Sequence, residues 1–221
     1  MDPARIAELL VPFLGPREEH RLRADDLEHI STYVDLLLRW NARINLTAIR
    51  DSEAIVTRHF GESLFAARHL FPARASVSYE SSVVTGFSVA DLGSGAGFPG
   101  LPIKLWSPYV SLTLIESNHK RAAFLREVTR ALGLTDVNVQ TTRAETIPGA
   151  AFDVVTLRAV ERFASTLFTA GNLVAPQGRL ALLIGSAQLD RARSSLPNFS
   201  WLKPQPIPLS QSRVLAITHR S

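Results

Sequence analysis

The sequence predicts an α/β fold: a mostly parallel sheet of seven strands with helices on both faces, preceded by a helical region. Three observations predict it. From Ser88 onward, short apolar runs alternate with segments of helical spacing. Residues 1–72 show helical spacing with no strand alternation. At the end of the first apolar run lies Gly93-Ser94-Gly95-Ala96-Gly97, a glycine loop that leads into a helix. The chain therefore divides into a helical region over 1–72, a connecting segment over 73–87 and an α/β region over 88–221.

In the helical region, Ile6, Leu9, Leu10, Phe13 and Leu14 share one face of a helix over Ala4–Leu14. Leu27, Ile30, Val34, Leu37 and Leu38 repeat the pattern, with Asp25 or Asp26 as N-cap. A third helix runs from Ser52 to Leu70, ahead of Pro72. The connection is Ser-rich and becomes extended near Val83 and Val84. Strands then follow at Ser88–Leu92, Val110–Ile115, Val137–Gln140, Phe152–Leu157 and Arg179–Ile184. Helices fall at Gly100–Trp106, Lys120–Leu132 (stopped by Gly133) and Phe163–Val174. Pro176 and Gly178 mark a turn, and the tail, including Val214–Thr218, supplies two late strands.

Composition narrows the chemistry. The 221 residues are 46% hydrophobic, enough for a sizeable core, and contain no cysteine, which excludes disulfides, thiolate metal sites and a cysteine nucleophile. No apolar run approaches the ~20 residues of a membrane span, and no secretory signal is read, so a cytoplasmic protein is expected. Net charge is +4 overall, but residues 1–75 sum to −1 and residues 76–221 to +5. A basic excess attracts polyanions, although this one also fits ordinary solubility charge.

The glycine loop carries the sharpest signal. Alternate glycines let the backbone turn tightly and approach a ligand, and the following helix offers N-terminal amides. Glu116, which ends the next strand 23 residues after Gly93, is placed to accept bonds from ribose hydroxyls. Two frames compete. Gly95-Ala96-Gly97-Phe98-Pro99-Gly100 matches the dinucleotide pattern G-x-G-x-x-G, but Pro99 sits where helix amides should begin. The frame Asp91-x-Gly93-x-Gly95-x-Gly97 resembles motif I of class I methyltransferases. An acid there suits the cationic sulfonium and amino groups of S-adenosylmethionine and would repel a pyrophosphate. The second frame is favoured.

The wider pattern resembles one family. Trp40-Asn41-Ala42-Arg43-Ile44-Asn45-Leu46-Thr47-Ala48-Ile49, Arg58-His59 with Glu62-Ser63-Leu64, Asp91 to Pro102, Ser117 to Leu125, Arg143-Ala144-Glu145 and Leu157-Arg158-Ala159 are similar to successive motifs of the RsmG (GidB) family. The resemblance implies a Rossmann-like class I methyltransferase fold with an N-terminal helical extension. It implies methyl transfer from S-adenosylmethionine to N7 of a guanine in the 530 loop of 16S ribosomal RNA. It also implies a monomer whose partner is that RNA or the small ribosomal subunit, with no membrane and no metal. Carried over by position, cofactor contacts fall on Asp91, Gly93, Ser94, Gly95, Gly97, Phe98, Glu116, Ser117, Ala144, Glu145 and Arg158. RNA contacts fall on Arg58, His59, Lys120, Arg121 and Arg126. Phe98, Trp40 and Phe163 are candidates to stack on an extruded base, against a simpler role in the core. Asn41 and Asn45 are expected to pin a loop.

The chain departs from the family in having Ile184-Gly185 where a Lys-Gly pair is usual, which leaves Arg191 or Arg193 to supply the charge. Guanine N7 carries a free lone pair, so no triad, general base, metal or nucleophilic side chain is expected; Arg158 is a substrate or cofactor contact. A methyltransferase acting on a small molecule or protein, and a non-catalytic RNA-binding assembly factor, are the alternatives. The first needs an enclosed pocket, and the second would have a degraded glycine loop, whereas all three glycines are intact.

Overall fold

The structure, a computed structural model, describes residues 1–16, 21–72, 86–158 and 163–220. Val83, Val84 and Ala159 lie outside the described residues. The first helix, α1 (Pro3–Leu14), is capped by Asp2, whose carboxylate accepts from the Ala4 N–H at 3.2 Å. The second, α2 (Ala24–Asn41), corrects the expected cap. Arg23 occupies the cap position, and Asp26, three residues on, accepts from the Arg23 N–H at 2.8 Å. An acid at the third helical position satisfies an orphan amide from inside the helix. The helix expected over Ser52–Leu70 is interrupted: α3 (Ser52–Ile55) passes through a π-helical turn (Val56–Gly61) into α4 (Glu62–Leu70). Apolar periodicity carries the run but not the one-residue widening, and such turns recur at functional sites.

The sheet is built on β1 (Ser88–Leu92), flanked in parallel by β2 (Ser111–Ile115) and β4 (Phe152–Arg158). The strand β3 (Val137–Gln140) lies outside β2, and β5 (Val174–Gly185) outside β4, both parallel. Three late strands follow, not two: β6 (Phe199–Trp201) and β7 (Gln205–Pro206) each pair antiparallel with β8 (Arg213–Arg220), which itself pairs antiparallel with β5. The order is β3-β2-β1-β4-β5-β8-β6, with β7 beside β8, so the sheet has eight strands where seven were expected. The Pro176–Gly178 turn is an irregularity inside β5, not its start. Val174 already pairs with Phe152, Gln177 adopts φ 62, and regular pairing resumes at Arg179. Turn residues within a strand mark a bulge.

Helices α5 (Gly100–Trp106) and α6 (His119–Ala131) pack on one face of the sheet, and α7 (Phe163–Leu173) and α8 (Leu189–Ser195) on the other. The short α8 went unread because its seven residues carry little apolar periodicity. One apolar cluster joins Ile6, Leu10, Leu37 and Phe60 of the N-terminal helices to Val89, Leu112 and Leu114 of the sheet. The helical region thus shares the core of the α/β region. The strand order reverses beside β1, and ligands bind such sheets at that point, outside the carboxyl ends of the strands.

Gly97 sits where the glycine loop meets the helical region. It has φ 86, and a Cβ there would overlap the Tyr33 hydroxyl and the Leu101 side chain. Backbone strain and overpacking add at this position. Gly97→Ala is expected to lower unfolding free energy by about 2–4 kcal/mol in urea denaturation; an unchanged midpoint would contradict this packing.

Candidate functional site

The site grows out of the end of β1. After Asp91 and Leu92 the chain turns through Gly93 (φ 64), Gly95 (φ 55) and Gly97 (φ 86), all left-handed conformations that other residues adopt at a cost. The Gly93 and Ser94 N–H groups donate to the Ile115 carbonyl at 2.9 and 3.1 Å, which ties the loop to the end of β2. The Ser94 hydroxyl donates to the Asp91 carbonyl at 2.8 Å. The Asp91 carboxylate is fully buried and points inward. It accepts from the Gly100 N–H at 3.2 Å and from the Thr156 hydroxyl at 2.7 Å, joining strand, loop and helix. Burial pushes its pKa up to about 6, against the lowering effect of those bonds.

The loop has two sides. Gly93 is exposed and Gly95 partly so, and only the Gly93 carbonyl, 3.7 Å away, lies near a Cβ built on Gly95. Glu116 stands beside this open side. Its carboxylate, 5% exposed, accepts from the Gly95 N–H at 2.9 Å and the Asn118 N–H at 2.8 Å. Ser94, Ala96, Gly97 and Phe98 face inward. The Tyr33 hydroxyl donates to the Ala96 carbonyl. The Phe98 ring is 7% exposed and stacks between Tyr33, 5.2 Å away, and His59, 4.8 Å away, with Phe60 edge-on. Phe98 is therefore a core ring that joins loop to helices, and the base-stacking role considered for it gives way to packing. Phe163 is likewise buried, and Trp40 packs edge-on against Phe124.

The Trp40–Ile49 segment has a physical job in this network. The Asn41 amide donates to the Thr47 carbonyl at 2.9 Å and accepts from the Leu46 and Thr47 N–H groups at 2.9 and 3.1 Å. That pins the loop, as expected of Asn41; Asn45 instead contributes its carbonyl, an acceptor for Arg121 at 3.4 Å. The Thr47 hydroxyl pairs with His59 Nε2 at 2.8 Å. His59 Nδ1 is buried with no hydrogen-bond partner among the described residues.

A second cluster lies at the ends of β4 and β5. Glu62, 2% exposed, bridges three guanidinium groups: Arg158 at 3.3 Å, Arg58 at 3.4 Å, and Arg213 in close contact. Arg158 also donates to the Arg58 carbonyl at 2.7 Å, within the π-helical turn. Beside them is a cavity of about 300 Å³ lined by Glu62, Arg158, Phe163, Ile184, Gln188 and Arg213 among others. A basic side chain does stand beside the Ile184-Gly185 pair. Arg213 on β8 is paired in register with Gly185. Arg193 instead faces Asp190 at 3.8 Å on its own helix, and Arg191 is exposed.

The structure brings together Asp91, Gly93, Ser94, Gly95 and Glu116 at the loop, with exposed Ser117 following. It groups Arg58, Arg158 and neighbouring His59 around Glu62. Lys120 is exposed at the start of α6, and Arg126 is pinned to β3 through the Val139 carbonyl at 3.1 Å and Thr141 at 2.7 Å. Ala144 and Glu145 form a 3-10 turn at the surface. Sequence reasoning missed Tyr33, Thr47 and Arg213. The Arg58–Glu62 spacing of four was a visible signal for part of the cluster; the register of β8 left none.

His59 is the titratable group with a readable consequence. Burial first, then Arg158, Arg58 and Arg213, lowers its pKa to about 3. A folded-state value below the unfolded one favours neutral imidazole. Its stabilising contribution is present above about pH 6.5 and is lost as pH falls towards about 3. The His59 ring resonances should hold neutral-imidazole shifts from pH 8 to pH 5; a titration centred near 6.5 would contradict the stack.

A family profile described as rRNA small subunit methyltransferase G matches residues 26–204. A Halorhodospira halophila protein named ribosomal RNA small subunit methyltransferase G is 43% identical over 164 residues, covering 74% of this chain and 72% of that protein. A Roseiflexus protein of the same name is 38% identical over 209 residues, covering 89% and 84%. Among solved structures, magnesium protoporphyrin IX methyltransferase from Synechocystis superposes with TM-score 0.61 at 14% identity, covering 90% of this chain and 99% of that one. Ribosomal protein L11 methylase from Lactobacillus delbrueckii gives TM-score 0.58 at 15% identity, covering 74% and 79%. Those two likenesses show the fold. The motif order, the intact loop and the matched length together place this chain in the rRNA small subunit methyltransferase G (GidB) family.

Proposed function

We propose that the protein transfers a methyl group from S-adenosylmethionine to N7 of a guanine in 16S ribosomal RNA, acting on the RNA or the small subunit that contains it. One observation carries the reading: the open side of Gly93 and Gly95 lies against the Glu116 carboxylate, in a chain whose relatives bear the name ribosomal RNA small subunit methyltransferase G.

The donor set fits the cofactor. Glu116 is an acceptor placed for ribose hydroxyls at the end of the second strand. Bound there, S-adenosylmethionine supplies an electrophilic methyl on a cationic sulfonium. Gly93 and Gly95 would leave room for it, and Glu116 would orient its ribose. Ala144 and Glu145 would flank the adenine, and Ser94 and Asp91 hold the loop in shape from beneath. Guanine N7 attacks with a lone pair that needs no deprotonation, so alignment and charge placement do the chemistry. Among the described residues no group of His, Cys, Asp and Glu is arranged to hold a metal ion, and no helix is long and apolar enough to cross a membrane. Lys120, Arg121 and Arg126 at and beyond the start of α6 meet RNA phosphates.

The test is methyl transfer to small subunits from cells lacking this modification, with the product mapped by the chain cleavage that N7-methylguanine permits. One N7-methylguanine in 16S ribosomal RNA is expected; a methyl group on any other atom would overturn the assignment. Glu116→Ala should raise the KM for S-adenosylmethionine about tenfold, the loss of one charged hydrogen-bonding partner. An unchanged KM would remove Glu116 from the cofactor site.

A further inference from the structure

Among the described residues, the Glu62 cluster holds more positive charge than it neutralises. One carboxylate faces Arg58, Arg158 and Arg213, and the nearest further anion acting on Arg158 is the buried Asp91. The guanidinium groups also keep donors in reserve. Arg158, whose side chain is 11% exposed, uses Nη2 for both of its bonds, to Glu62 and to the Arg58 carbonyl. Its Nε and Nη1 have no partner among the described residues. Arg213 spends Nη2 on Glu62 and Nε on the Ser210 hydroxyl at 3.3 Å, which leaves Nη1. A largely buried cation with unfilled donors costs desolvation free energy that a ligand anion would recover. The planar fork of arginine matches a phosphate in particular.

Position completes the argument. The cavity of about 300 Å³ is lined from α4, β4, α7, β5, the turn after β5 and β8, with no residue of the glycine loop and not Glu116. It lies across β4 from β2, on the other side of β1 from the ribose acceptor. Arg158 apart, a group bound there would draw on none of the residues assigned to the cofactor. We infer that this cavity is an anion subsite that takes one backbone phosphate of the RNA substrate, gripped by Arg158 and Arg213, with Glu62 positioning both. The inference rests on the RNA reading above. It makes Arg213 a substrate-binding residue, brought to the site by its pairing with Gly185. It makes Glu62 a positioning residue, since its two oxygens set the angle between the guanidinium planes.

Arg213→Gln tests it while leaving Glu62 paired to Arg158 and Arg58. Binding of a synthetic RNA hairpin of the target loop is measured against salt concentration for wild type, Arg213→Gln and Arg213→Lys. The affinity of each protein for S-adenosylmethionine is measured by calorimetry. Arg213→Gln should bind RNA about tenfold more weakly and lose about 0.7 from the slope of log affinity against log salt, one phosphate contact on a single strand. Arg213→Lys should regain the slope but not the full affinity, because it lacks the fork. Cofactor affinity should stay within twofold. An unchanged slope in Arg213→Gln overturns the subsite. So does a parallel loss of cofactor affinity with the slope unchanged, which would assign the anion to the cofactor's carboxylate. Wild-type protein that transfers no methyl group to small subunits would sink the functional reading instead, and the salt slope would still decide the subsite.

Discussion

The buried carboxylate of Asp91 is the constraint on which the site depends. It stands next to last in β1, and from there it holds the Gly100 N–H and the Thr156 hydroxyl at once. The strand, the far end of the glycine loop and the neighbouring strand β4 are therefore fixed to one group. Burying a carboxylate is costly, and these bonds offset the cost only while the loop keeps its shape. The left-handed glycines make that shape reachable, and Glu116 closes it from the other side through the Gly95 N–H. The acid near the strand end thus shapes the loop from beneath, while the acid after the next strand holds the Gly95 N–H.

The N-terminal helices are tied into the same construction. Asn41 orders the segment that presents Thr47, Thr47 pairs with His59, and His59 stacks on Phe98 of the loop. Tyr33 completes the sandwich and binds the Ala96 carbonyl. Edge and face contacts between buried rings add to their burial. A helical region that would otherwise be an appendage supports the back wall of the loop. The π-helical turn carries His59, Phe60 and the Arg58 carbonyl that Arg158 engages, so one local irregularity serves both the aromatic stack and the arginine cluster.

Much of this was legible in the sequence, for physical reasons. Glycine spacing after an apolar run reports backbone geometry, so the loop was readable directly, and so was the place of Glu116 at the end of the next strand; Asp91, read as an acid facing a cationic cofactor, is instead buried beneath the loop on Gly100 and Thr156. Strand and helix alternation gave the architecture around them. What escaped depends on long-range register. Phe98 was readable as an aromatic beside the loop, but the side it faces is decided by Tyr33 and His59, contacts far apart in the chain. Arg213 was hidden because its place opposite Gly185 follows from the antiparallel pairing of the last strand. Arg213, and neither Arg191 nor Arg193, is the basic residue that this pairing sets opposite Gly185. The bulge in β5 read as a turn because Pro176 and Gly178 signal a bend without saying whether pairing stops.

The central claim is that the open side of the glycine loop, with Glu116 beside it, holds S-adenosylmethionine. Isothermal titration of the folded protein with that cofactor tests it most directly, alongside Gly95→Val, whose added side chain would project into the open space at a strained left-handed position. Binding of one equivalent by the wild type, and none by folded Gly95→Val, is the expected result. Wild-type protein that takes up no cofactor, or a folded variant that binds as well as wild type, would contradict the account.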